Sequence, residues 1–133
     1  MKTKKILLLT LFLFIFYSLN TLQYKHRIVK KEFKPLTIEN IRQELKKLGV
    51  KHSNIVIKQV KLETGNLKHV RHNNLFGFRG NNGYLKFKTW QDAIKYKKAW
   101  QDKKYHSGDY YHFLMKVGYA KDSTYIKKLK QIK

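Results

Sequence analysis

Ser53-Asn-Ile-Val-Ile-Lys-Gln-Val-Lys-Leu-Glu63-Thr-Gly65 is the stretch on which the fold turns. Ser53 offers a hydroxyl to the free amides of a first helical turn, and Gly65 offers the left-handed residue on which a helix stops. At about 100° per residue from Ile55, Gln59 falls near 40°, Glu63 near 80°, Val56 near 100° and Val60 near 140°. Lys58 and Lys61 fall opposite, at about 300° and 240°. Glu63 therefore sits inside the apolar arc although a polar face was available. A carboxylate there is costly unless it is paired or functional. Desolvation raises its pKa, which suits a general acid. A second reading stands beside this one: the helix ends at Gly65, and Glu63 emerges into solvent as its last turn frays.

Working outward, Thr37 can cap a preceding helix in which Ile38, Ile41, Leu45 and Leu48 recur at helical spacing before Gly49. On the other side, Leu75-Phe-Gly-Phe78 and Tyr84-Leu-Lys-Phe87 flank Asn81-Asn82-Gly83, a pattern that predicts a β-hairpin over 73–89. A helix from Gln91 uses Ala93, Ile94, Tyr96, Lys97 and Trp100. Ser107-Gly108 breaks the chain before another helix, and a basic amphipathic helix runs from Tyr125 to Ile132. The class expected is α+β and mostly α, with one small hairpin lobe between helices.

The 133 residues allow one compact domain with a short appendage, and 42% hydrophobic residues suffice for a core. Cysteine is absent, which removes disulfides, Cys-zinc sites and thiol catalysis. Thirty Lys+Arg, of which only Arg27, Arg42, Arg71 and Arg79 are arginine, face eight acids, for a net charge of +22. Such a surface attracts polyanions without choosing among nucleic acid, anionic lipid and acidic wall polymers. The N-terminus weighs against a cytoplasmic nucleic-acid binder. Lys2, Lys4 and Lys5 precede an uncharged run, Ile6 to Tyr17, extendable to Leu22. It has the n-region and h-region pattern of an export signal. Residues 1–23 are accordingly expected to be a signal peptide or signal anchor that places a membrane among the partners. Residues 24–35 read as a basic irregular tether and 36–133 as a monomeric domain. That domain is expected at the cell envelope, anchored by residues 6–22, or secreted.

Four segments occur in order: Gln59-Val-Lys-Leu-Glu-Thr-Gly65, Asn73-Asn-Leu-Phe-Gly-Phe78, Tyr84-Leu-Lys-Phe87 and Gly118-Tyr-Ala-Lys-Asp-Ser-Thr-Tyr125. Together, over roughly residues 36–131, they resemble the glucosaminidase family, glycoside hydrolase family 73, with its lysozyme-like fold. The resemblance implies that Glu63 is the catalytic glutamate, the proton donor to the glycosidic oxygen. It implies that Tyr119 lines the cleft near the scissile sugar. It also implies that the substrate is the peptidoglycan glycan strand, cut at a β-1,4 bond, with no cofactor. Asn74, Phe76, Trp90 and Gln59 are the expected substrate contacts, although for Leu75 and Phe76 a place in the core is the preferred reading. Trp90, at the hairpin exit, is the aromatic placed nearest the cleft, whereas the helical spacing of Tyr96 and Trp100 assigns them to the core.

Two departures from the family pattern stand out. Lys121 occupies a usual Thr position, and Asn66-Leu67 replaces a common Trp-Gly. No acid lies within 75–90, where some members carry a second carboxylate. Asp92 is the nearest candidate for that partner, or else an N-terminal helix charge. The substrate's own N-acetyl group is the alternative second catalyst. His69 and His72 have helical ligand spacing, but no third ligand completes a zinc site. A catalytically weak wall-binding or polyanion-binding module on the same fold is the alternative function.

Overall fold

A computed structural model describes the backbone of residues 2–32 and 34–133, and side chains at 10–25 and 34–133. The chain divides into two units, Met1–Pro35 and Leu36–Lys133.

The first unit is one helix, α1 (Lys2–Glu32). It continues through residues 24–32, which the sequence reads as irregular. No Gly or Pro occurs before Gly49 except Pro35, and the Lys, Arg and Glu of this stretch are good helix formers. The expected signal or anchor helix and its membrane partner are not upheld. No helix among the described residues is long and apolar enough to cross a membrane. The apolar run Ile6 to Tyr17 rises only about 18 Å against a hydrocarbon core of about 30 Å. Ser18, Asn20, Thr21 and Gln23 then dilute its continuation. The side chains of Lys2, Lys4 and Lys5, expected to flank that run on its N-terminal side, and those of Ile6 to Leu9 lie outside the described ones.

The second unit holds α2 (Ile38–Lys47), α3 (Ser53–Thr64), β1 (Arg79–Gly80), β2 (Gly83–Tyr84), α4 (Trp90–Lys104), α5 (Tyr110–Lys116) and α6 (Tyr125–Gln131). It is mostly helical with one antiparallel hairpin, a lysozyme-like α+β arrangement. Helix α3 is its spine, packed between α2 and α6, while α2 also meets α4. Val56 and Val60 of α3 are fully buried with Ile41, Leu45, Leu75, Ile94, Leu114 and Leu129. Each such side chain contributes about 1.5–3 kcal/mol of transfer free energy.

Caps place the helices. Thr37 accepts from the Asn40 amide at 3.1 Å, as its spacing predicts. The cap of α3 is His52 rather than Ser53, one residue earlier, in the left-handed region at φ 54°. Its imidazole stacks on Tyr110 at 4.9 Å and bonds the Tyr105 hydroxyl at 2.6 Å. The Gln101 carboxamide accepts from Lys51 N–H at 2.7 Å and donates to Lys51 C=O at 2.9 Å. These tertiary contacts fix where α3 starts, and no local spacing rule registers them.

The hairpin is shorter than the sequence predicts, with Arg79 paired to Tyr84 and Gly80 to Gly83. Beyond the paired residues the two arms are held by the backbone bond from Leu85 N–H to Phe78 C=O at 2.9 Å and by the buried side chain of Asn74 rather than by a regular ladder. Asn74 donates to Phe78 C=O at 2.8 Å and to Leu85 C=O at 3.0 Å, and accepts from Phe78 N–H at 3.0 Å.

Candidate active site

Helix α3 carries Glu63 to its C-terminal turn, where Gly65 at φ 56° halts the helix. The buried residues of α3 are Val56, Ile57, Gln59, Val60 and Thr64, and the arc they define contains the direction of Glu63. Both sequence readings hold in part: Glu63 lies on the buried arc, and at the helix end it opens outward. It opens into a cleft of about 550 Å³ lined by the hairpin lobe, α4 and the segment before α6.

Glu63 is the only carboxylate lining that cleft among the described residues; Arg79, Lys104 and Lys121 are the cations. The far side is set by Gly77, at φ 63°. A Cβ built there would stand 2.7 Å from Glu63 Oε2, so the left-handed backbone favours glycine and any side chain at this position would push the Glu63 carboxyl aside. Burial pushes the Glu63 pKa up, and the Tyr125 hydroxyl and the Lys97 charge pull it part of the way back. Glu63 reaches solvent through the cleft, while its Oε2 stands against Gly77 on the cleft wall, and this partial withdrawal from water is the cause of the upward direction. A carboxyl in this state holds its proton to a higher pH than a free one, as a proton donor near neutrality must.

Tyr119 lines the cleft, and its hydroxyl donates to Phe76 C=O at 2.9 Å. That bond joins the segment before α6 to the hairpin lobe. Burial pushes the Tyr119 phenol well up, so it stays neutral. Phe76 is 1% exposed yet its residue still borders the cleft, so it serves as core and as wall.

The remaining sequence candidates lie elsewhere. Asn74 is the buried clamp described above, and Gln59 is fully buried, its amide donating to the Tyr125 hydroxyl at 3.4 Å. Trp90 opens α4 and is buried in the core; neither it nor Asp92 borders the cleft. Asp92 completes a capping box with Thr89, accepting from its hydroxyl at 2.8 Å and its amide at 3.2 Å. It also pairs with Lys95 at 3.1 Å. Hydrogen bonds from Thr89 and Lys95 hold its carboxyl below the usual range, the behaviour of a helix-terminal charge. His69 and His72 belong to no group of potential metal ligands among the described residues.

Two residues that do shape the cleft escape sequence reading. Trp100, assigned there to the core, lines the cleft. Lys97 is fully buried behind it. The signal for Lys97 was present. Counted at about 100° per residue from Trp90, Ala93 falls near 300°, Lys97 near 340°, Gln101 near 20° and Ile94 near 40°. Lys97 is thus at the centre of the buried arc of α4, as anomalous there as Glu63 is on α3.

Residues 38–133 match the Glucosaminidase family model, described as mannosyl-glycoprotein endo-beta-N-acetylglucosaminidase. No curated protein matches the chain.

Proposed function

Because the chain belongs to the glucosaminidase family and carries its glycoside-hydrolase-like domain over residues 38–133, we propose that it hydrolyses β-1,4 bonds in the glycan strand of peptidoglycan. The bond cut is the one after N-acetylglucosamine. The observation that carries this reading is the protonation-prone Glu63 carboxyl, among the described residues the single acid lining a cleft large enough for sugar rings.

In this reading Glu63 gives its proton to the glycosidic oxygen as the C1–O bond breaks. With no second carboxylate lining the cleft among the described residues, the N-acetyl carbonyl oxygen of the same sugar attacks C1, forming a cyclic oxazolinium. Water then adds to C1 as that ring opens, and its proton returns to Glu63. Tyr119, Phe78 and Trp100 offer rings on which the sugar faces can rest. The positive surface holds the enzyme at the anionic envelope without setting the bond cut. The second reading, a wall-binding module without turnover, is favoured by the same single-acid lining.

Incubating the full chain with purified peptidoglycan and analysing reduced products by mass spectrometry tests the proposal. New ends carrying N-acetylglucosamine support it. Ends carrying N-acetylmuramic acid reassign the bond, and binding without new ends leaves only the module.

A further inference from the structure

Lys97 is fully buried, and its ammonium has no hydrogen-bond partner among the described residues. Aromatic rings surround it instead. Its Nζ lies 4.5 Å from the ring centroids of both Trp100 and Tyr119, 5.4 Å from Phe76 and 5.8 Å from Phe78. All four of these residues line the cleft, so the ammonium is sealed directly beneath its floor. The ring faces supply part of the lost hydration. They do not supply all of it, and an apolar side chain of the same length would fill this box without a buried charge. Packing therefore does not account for a lysine here.

Electrostatics does. Lys97 and Glu63 each feel the other's charge. The other ionisable groups coupled to Glu63 are the phenols of Tyr119 and of Tyr125 on α6, and burial keeps both neutral; Tyr110 of α5 faces those two phenols rather than the pair and is likewise held neutral by burial. Arg79, Lys104 and Lys121 line the cleft above the floor. Beneath it, the one cation is Lys97, among the described residues.

We propose that Lys97 is a positioning residue for the acid of the cleft, its sealed ammonium being the counter-charge that receives the Glu63 carboxylate as that carboxylate forms. The proposal rests on Glu63 being the general acid. When Glu63 releases its proton to the leaving oxygen, a desolvated anion appears at the end of α3. A cation held in place by packing stabilises that anion without reorganising, which strengthens the acid at the moment of transfer. Burial lowers the Lys97 pKa to about 7, against the pull of Glu63 in the other direction. Above that pH the floor loses its charge, and the carboxylate its partner.

The test is a pH titration of Glu63 in the full chain, followed by carbon NMR with labelled glutamate. Only four glutamates exist, and Glu63→Gln identifies the signal. In Lys97→Met the Glu63 midpoint should rise by roughly one pH unit. The alkaline limb of the hydrolysis profile should move the same way, and the maximal rate should fall several-fold. An unchanged midpoint in a folded Lys97→Met overturns the proposal. So does a loss of rate with the limb unmoved, the mark of a merely structural residue. A reciprocal measurement needs no Lys97 variant: the lysine titrating near pH 7 should shift to lower pH in Glu63→Gln, and its failure to shift also overturns the coupling. Full hydrolysis by Glu63→Gln would overturn the acid assignment, and with it the proposal, even where the two midpoints prove coupled.

Discussion

Glu63 and Lys97 present the same anomaly in two different places. Each is a charged residue on the buried arc of its helix, and each bears on the same cleft. Glu63 stands on the last turn of α3, where Gly65 ends the helix and the side chain reaches outward. Lys97 stands mid-helix in α4, where no such exit exists and four rings close over it. The position along the helix, more than the face, decides which charge can touch a substrate. The face decides that both are desolvated, which raises the carboxyl and lowers the ammonium toward one another.

The comparison breaks most visibly at Glu63. Glu63→Gln should lower hydrolysis by at least about 100-fold, measured as release of reducing ends. The same variant should melt higher than wild type at pH 7. The folded state holds the Glu63 proton above the unfolded midpoint of 4.5. Stability therefore falls as pH rises from 4.5 through the raised value, and Gln removes that penalty. Its advantage should vanish below pH 4.5, as circular dichroism melts at several pH values would show.

Gly77→Ala attacks the Glu63 side without touching its charge. The left-handed backbone and the overlap with Oε2 should cost about 1–2 kcal/mol in denaturant unfolding. Displacing the carboxyl should reduce activity on the order of 10- to 100-fold.

Lys97→Met sharpens the other side through stability. The ammonium titrates at about 7 in the fold against 10.5 when free. Between those values the unfolded chain binds the extra proton, so wild-type stability climbs with pH. Lys97→Met should melt higher than wild type at pH 7, by roughly 5 °C. The gap should close as pH approaches 10.5. A gap that does not depend on pH would mean that Lys97 is not the group titrating.

Much of this was legible in the sequence, for identifiable reasons. The Thr37 cap, the Gly65 stop and the direction of Glu63 follow from local geometry and a 3.6-residue period, which tertiary packing left intact. The same period places Lys97 with Ala93 and Ile94, but spacing along α4 cannot register that Phe76, Phe78 and Tyr119, from other segments, close over its ammonium. Trp90 and Trp100 exchanged roles because hairpin exit and helix start are one place: Thr89 caps α4, and the next residue turns inward. Asn74 was illegible as a clamp, since its partners Phe78 and Leu85 meet only once the lobe has folded. The N-terminal run has the charge and apolar pattern of an export helix, yet no helix among the described residues is long and apolar enough to cross a membrane.

The central claim is that one carboxylate serves this cleft, and Asp92 tests it most directly. Asp92→Asn should be set beside wild type and Glu63→Gln in reducing-end release from peptidoglycan. With Asp92 occupied by the Thr89 capping box and Lys95, its variant should retain activity within about twofold. A loss in Asp92→Asn approaching that of Glu63→Gln would contradict the claim and restore a second acid to the mechanism.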